Sequence, residues 1–308
     1  MKVRFALFVF VTLLLLTGRA HAGNDCASVG VRPFADATPV YVHEAGVHRI
    51  FTKKWAASAG MKRYFDQQKQ LFNVLKNQQP PEDGKAQLKF GAVGDIMRLP
   101  SHQPEFVGEA LKEYLETLDL LTGNLETLIS SRYPLPPESL FLMNSDPSVL
   151  TAFRNDQGWN YFSLISTANN HTYDFGDAAI SDTLKVLRKE GVFQSGVQEM
   201  AGQKPYVVVE KNGIKIGYYA ITTFVNDIKA LENSDLHFNP MVKGIEALPF
   251  SEWKSVCDID LSDTDKVLKQ MAHDGADIRI ISIHWGMEQE MYPRAVQLDI
   301  AHELVKQG

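Results

Sequence analysis

Leu88-Lys89-Phe90-Gly91-Ala92-Val93-Gly94-Asp95 is a short apolar run that stops on Gly-Asp. A run of this length, closed by glycine and a polar turn residue, reads as a β-strand. The same pattern returns three times downstream. Leu120-Leu121-Thr122 ends in Gly123-Asn124, Tyr161 to Thr167 ends in Ala168-Asn169-Asn170-His171, and Asp277 to Ile283 ends in His284-Trp285-Gly286. Segments with helical spacing separate them: about 105–119, about 177–190 with Ile180, Leu184 and Leu187 on one face, about 263–273, and about 294–306. Strands that alternate with helices predict an α/β fold, layered, with a mainly parallel central sheet flanked by helices. Residues 206–221 depart from the alternation. Two β-rich runs flank Asn212-Gly213, a strong hairpin signal. The stretch 225–260, with Pro240 and Pro249, is long for a plain connector and reads as an inserted loop region.

The polar residues of interest fall just past the strand ends. Asp95, Asn124 with Glu126, Asn170 with His171, and His284 all occupy such places. In an open parallel sheet those ends share one edge, and ligands bind in the crevice there. Residues nearly two hundred positions apart can therefore converge. Asp, Glu, Asn and His supply oxygen and imidazole nitrogen donors, which suit divalent cations such as Mn, Zn or Fe. Taken singly, each has a structural reading: a strand-ending turn at Gly94-Asp95, a turn at Asn124, a helix-start carboxylate at Glu126, a capping or space-filling His171, and a half-buried His284. The agreement of four strand ends is what singles them out. His43, His48, His102, His237, His273 and His302 have no such placement and read as surface or packing residues.

Outward from this core lies the N-terminal third. Lys2 and Arg4 precede an apolar run from Phe5 to Leu16, and Ala20-His21-Ala22 follows. A basic start, a short apolar stretch and a small-x-small site make residues 1–22 a secretory signal peptide, cleaved between Ala22 and Gly23. The expected localisation is therefore exported: periplasmic, cell-surface or secreted. Residues 23–87 form an N-terminal extension with a helix at about 52–77, and Pro80, Pro81 and Gly84 mark a turn or linker before residue 88. A hydrophobic share of 44% supports a sizeable core, and a net charge of −6 argues against a nucleic-acid partner. The two cysteines, Cys26 and Cys257, could pair in an oxidising compartment, but nothing in the sequence sets their distance.

Gly94-Asp95-Ile96-Met97, Gly123-Asn124-Leu125-Glu126-Thr127, the block from Ala168 to Gly176, and Ser282-Ile283-His284-Trp285-Gly286-Met287-Glu288 resemble, in this order, the successive motifs of the CapA family. These are capsule-synthesis, poly-γ-glutamate biosynthesis proteins, a branch of the calcineurin-like metallophosphoesterase superfamily. The resemblance covers about 88–308 and implies a metallophosphoesterase-like fold over that range. It implies that Asp95, Asn170 and His284 are metal ligands, that Asn124 stands near the superfamily's bridging aspartate, and that Glu126 belongs to the family's version of that motif. It makes His171 the catalytic histidine that protonates the leaving group. Glu288 and Asp174 are then substrate or supporting groups, with Asp174 a helix-start carboxylate and Gly176 a turn glycine.

The resemblance has limits. The superfamily usually carries a ligand histidine two residues after the first aspartate, where Met97 stands here, and a thioether suits a hard cation poorly. Asn124 lacks the charge of a bridging aspartate. CapA relatives continue with a strand ending in a histidine-rich motif, and this sequence stops at Gly308, so the fold is expected to be incomplete at its C-terminus. The expected function is an exported CapA-like protein in poly-γ-glutamate or related exopolymer biosynthesis with a metal-dependent hydrolase core. Its partners would be an anionic polymer or phosphoester substrate and membrane-associated polymer synthesis machinery. Two alternatives stand beside it: a general extracytoplasmic metallophosphoesterase, and a non-catalytic polymer-binding or assembly module that keeps the fold. An anionic chain would need cations near the metal edge, for which Arg98, Arg132 and Arg154 are candidates by loop position.

Overall fold

The computed structural model describes residues 88–98, 107–136, 139, 142–239, 260–286, 293 and 295–308, with helical positions at 62, 63, 66–70 and 73. The expected signal peptide, Cys26, Cys257, Glu288 and most of the helix expected at 52–77 lie outside the described residues. Two compact units are present. Of the described residues, 88–239 and 261–285 belong to the first, and 260, 286, 293 and 295–308, with the helical positions between 62 and 73, to the second.

In the first unit, β1 (Phe90–Asp95), β2 (Leu120–Asn124), β5 (Leu164–Ser166) and β6 (Phe193–Ser195) form a wholly parallel sheet in the order β1-β2-β5-β6. The parallel sheet expected from the strand–helix alternation is therefore present. Its central strands are buried on both faces and alternate between two cores. Leu120 and Leu164 point into one hydrophobic cluster. Leu121 and Ile165 point into another, with Leu150, Phe162 and Leu187. That period of two is what a strand geometry imposes. Helix α1 (Glu109–Glu116) and helix α2 (Gly176–Lys189) supply Leu115 and Leu187 to the second cluster. The first of these helices is shorter than the 105–119 pattern, starting after Gly108 and closing at Thr117.

The hairpin does not extend that sheet. β8 (Tyr206–Lys211) and β9 (Ile214–Thr222) pair antiparallel, and β11 (Ile278–His284) joins β9 in parallel. They make a second sheet in the order β11-β9-β8. The turn is the one its sequence predicts: Asn212 and Gly213 both have positive φ, 53° and 75°, which suits the twist of a two-residue hairpin. The two sheets stack. Ile216, Tyr218 and Ala220 of β9 bury against Leu120 and Leu164, and Thr122 Oγ1 donates to Tyr218 Oη across the interface at 2.9 Å. Stacking leaves the outer face of the second sheet for helix α4 (Ser262–His273), whose Met271 lies against Gly217. The layers thus run helix, sheet, sheet, helix. Small ribbons that periodicity does not reveal complete this unit: β3 (Leu128–Ile129) with β4 (Asn144–Ser145), and β7 (Val197–Gln198) with β10 (His237–Phe238). The region expected as an inserted loop begins with the short helix α3 (Ile228–Glu232) and β10, and residues 240–259 lie outside the described residues.

In the second unit, α5 (Ala295–Gln307) matches the predicted terminal helix, with Val296, Ile300 and Leu304 buried at four-residue spacing. Among the described residues no helix is long and apolar enough to cross a membrane.

Candidate metal centre

The site forms where strands of the two sheets end together. Register places Asp95 beside Asn124 and Asn124 beside Ser166 in the first sheet. The ladder between β1 and β2 shifts between Ala92 and Asp95, and that irregularity delivers Asp95 to its place opposite Asn124. In the second sheet His284 pairs with Thr222. Stacking of the sheets brings the last residue of β11 over the ends of β1 and β2. One ligand atom each from Asp95, Glu126 and His284 then lies within 4.8 Å of the others.

Glu126 and His284 are largely enclosed, whereas the Asp95 side chain keeps 45% exposure, so the group opens to solvent at Asp95. The Glu126 Oε1 atom faces both imidazoles, 3.8 Å from His284 Nε2 and 3.9 Å from His171 Nε2. Asn124 Nδ2 donates to Asp95 Oδ1 at 2.7 Å and lies 3.1 Å from His284 Nδ1. Asn124 Oδ1 accepts from Asn169 Nδ2 at 3.3 Å. Asn124 therefore meets the cluster with its amide nitrogen and ties Asp95 to His284. To act as an oxygen ligand it would have to turn over and give up both contacts. Asn170 presents Oδ1 to His284 Nε2 at 2.9 Å. Asp95, Asn124, Glu126, Asn170, His171 and His284, named from strand ends and motifs, are thus all brought to one place.

The loop that carries Asn170 and His171 is held by its own polar groups. Asn169 Oδ1 accepts from His171 N at 3.1 Å, and Asn169 Nδ2 donates to Leu125 O at 2.8 Å. Asn169 is 1% exposed. It stands inside the asparagine-histidine block, where its neighbours drew the attention. Asn226 has no sequence signal at all, yet its backbone N–H donates to Asn170 O at 2.8 Å and its side chain reaches both Asn170 and His171.

Asp174 corrects one expectation. It is not a helix-start carboxylate: α2 begins at Gly176 after Phe175, with no side-chain cap. Asp174 instead points inward, 2% exposed, where Oδ2 accepts from His171 Nδ1 at 2.7 Å and from Met143 N at 2.8 Å. A buried carboxylate must find donors, and the imidazole and a free amide provide them. The His171 ring is thereby fixed with Nδ1–H on Asp174 and Nε2 towards Glu126.

The three arginines proposed for a polyanion are engaged elsewhere. Arg98 donates to the carbonyls of Ser139, Leu135 and Pro136. Arg132 pairs with Asp182 at 2.8 Å, and Arg154 makes a two-point contact with Glu190. Each pins a loop or a helix end.

Burial works against ionisation of Asp95. The hydrogen bond and charge of His284, and hydrogen bonds to Asn124 and Glu126, outweigh it and hold the carboxyl at about 2, below its ordinary 3.8. A carboxyl lowered in the folded state stabilises the fold above its unfolded value and loses that contribution as pH falls through the folded one. The Asp95 contribution is thus complete above about pH 4 and lost towards about pH 2. Carbon NMR of the cation-free protein is expected to give an Asp95 midpoint near the lower figure. A midpoint at the ordinary value would mean that the contacts with His284 and Asn124 are not made in solution.

Residues 74–308 match the family described as "Bacterial capsule synthesis protein PGA_cap". The "Capsule biosynthesis protein CapA" of Bacillus anthracis is 23% identical over 236 residues, which are 72% of this chain and 52% of that protein. The chain therefore spans about half the length of this curated relative. Among solved structures, one from Staphylococcus aureus assigned as a 5′-nucleotidase, in complex with alpha-ketoglutarate, aligns over 65% of this chain and 38% of that one. The two are 15% identical, with a TM-score of 0.33.

Proposed function

Because the chain belongs to the bacterial capsule synthesis protein family PGA_cap, we propose that it works outside the cytoplasm in making poly-γ-glutamate or a related capsular exopolymer, through a cation-dependent hydrolase core. The observation that carries the hydrolase core is the group Asp95, Glu126 and His284, with ligand atoms within 4.8 Å of one another. Two carboxylate oxygens and an imidazole nitrogen fit Mn, Zn or Fe in the divalent state, with Asn170 Oδ1 beside them. Such a cation supplies Lewis acidity and a water that ionises near neutral pH. The chain's own residues do the rest. Asp95 opens the cluster to solvent, so a substrate can reach it. Asp174 holds the His171 ring, and His171 Nε2, on the Glu126 side, is placed to give a proton to a leaving group. Export rests on the basic and apolar leader at residues 1–22.

The engagement of Arg98, Arg132 and Arg154 elsewhere favours a second reading, a general phosphoesterase in the same compartment, since each of the three is paired with protein carbonyls or carboxylates away from the cluster. Complementation separates the two. In the source organism with the gene deleted, the full-length wild-type gene is expected to restore surface polymer, and the same gene with Asp95→Ala is not. Unchanged polymer in the deletion strain would remove the capsular role. Full restoration by the Asp95→Ala gene would remove the cation-dependent core.

A further inference from the structure

We propose that Asn226 is a positioning residue that fixes which end of the Asn170 amide faces the cation cluster. The inference rests on the reading of Asp95, Glu126 and His284 as a cation site. The argument starts at Asp95, because an ionised carboxylate only accepts. The atom facing Asp95 Oδ1 at 2.7 Å is Asn124 Nδ2, a donor. The same nitrogen lies 3.1 Å from His284 Nδ1, which in the uncharged ring is therefore the accepting nitrogen. The ring proton sits on Nε2 and is donated to Asn170 Oδ1 at 2.9 Å. The Asn170 Nδ2 atom then points the other way, and Asn226 Oδ1 accepts it at 3.3 Å. Turning the Asn170 amide over would set Nδ2 against the His284 N–H and Oδ1 against Asn226 Oδ1. Both contacts would then join like with like. Asn226 thus makes the wrong orientation costly from the far side, as His284 does from the near side.

Asn226 also sets its Nδ2 3.3 Å from His171 Nδ1, but the proton on that ring nitrogen goes to Asp174, so this end of the amide makes no hydrogen bond to the ring. The Asn226 backbone N–H holds Asn170 O at 2.8 Å. The same loop is tied to the second sheet: Thr223 N donates to His284 O at 3.1 Å, as does Thr222 Oγ1. The chain at the end of β9 and just after it therefore grips His284 and Asn170, which come from the two different sheets. Partners of this kind, which orient a ligand without touching the metal, typically affect metal affinity by about 10–100-fold.

The test uses Mn²⁺ as the probe, with binding measured by calorimetry on the full chain. Asn226→Leu removes both polar ends at similar size, and Asn226→Ala removes them without added bulk. Asn226→Asp keeps an oxygen for Asn170 Nδ2. We expect Leu and Ala to weaken Mn²⁺ binding by about 10–100-fold, while Asp binds at least as tightly as the wild type. In cation-free protein, the Asn170 side-chain amide resonance is expected to move in the Leu and Ala variants and to stay in place in the Asp variant. Wild-type affinity in both the Leu and Ala variants would overturn the proposal, and so would an Asp variant as weak as Ala. Should the wild type itself take up no Mn²⁺, the cation reading fails on its own, and the amide resonance decides the role of Asn226: movement in Leu and Ala alone upholds it, and no movement overturns it.

Discussion

His284→Ala is expected to cost more than about a hundredfold in Mn²⁺ affinity, beyond what loss of a supporting partner typically costs. The substitution removes one of the three groups whose ligand atoms lie together. It also frees Asn124 Nδ2 and Asn170 Oδ1, both of which face the ring. The fold should survive, because the contacts that hold the end of β11 to β9 are backbone contacts: His284 O accepts from Thr223 N and Thr222 Oγ1. His171→Ala is the matched comparison. His171 Nε2 is 3.9 Å from Glu126 and lies outside the three-residue group. It is expected to leave Mn²⁺ affinity within a few-fold and to remove turnover of an aryl phosphate ester, where the wild type shows it. Calorimetry on both variants settles the division of labour. Equal loss of Mn²⁺ in the two would show that His171 is a ligand, and wild-type affinity in His284→Ala would displace the cation from this cluster.

Gly196→Ala is expected to destabilise the first unit by about 2–6 kcal/mol, from two separate sources. Gly196 has φ of 138°, a conformation that non-glycine residues avoid, with a cost of about 1–3 kcal/mol. A Cβ there would also stand 2.5 Å from Thr167 Oγ1, 2.6 Å from Ala168 N and 2.7 Å from Thr167 C. Two of those atoms are backbone and cannot rotate away, and overpacking of this kind costs about 1–3 kcal/mol more. The displaced segment leads straight into Asn169, Asn170 and His171, so Mn²⁺ affinity should fall as well. Gly202→Ala is the control, since Gly202 also has positive φ, 79°, but nothing lies within 4 Å of an added Cβ. Thermal melts are expected to show a fall of roughly 4–24 °C for Gly196→Ala, at about 2–4 °C per kcal/mol for a domain of this size. A fall no larger than that of Gly202→Ala would show that the 167–168 backbone yields easily.

What local chemistry could write, the sequence carried. Runs closed by glycine and a polar residue marked β1, β2, β5 and β11, because strands end where the chain must turn and glycine and asparagine turn cheaply. Asn212-Gly213 specified its hairpin, since both positions need positive φ. Strand ends of a parallel sheet share an edge, which groups Asp95, Asn124 and Asn170 from the sequence; His284 groups with them on the same ground, but its strand belongs to the second sheet and only stacking brings it there. The rest depended on which surfaces meet, and no local period encodes that. The hairpin and β11 stack on the parallel sheet because Ile216, Tyr218 and Ala220 must bury against Leu120 and Leu164, contacts between segments far apart in the sequence. The side chain of Asp174 turns inward because the His171 ring and the Met143 amide wait there, not at the start of the helix. Arg98, Arg132 and Arg154 found carbonyls and carboxylates that only folding brought within reach. Asn226 and Gly196 sit in segments with no motif. Their importance comes from proximity alone: one meets Asn170 and His171 across a loop, and the other meets the 167–168 backbone with no room for a methyl group.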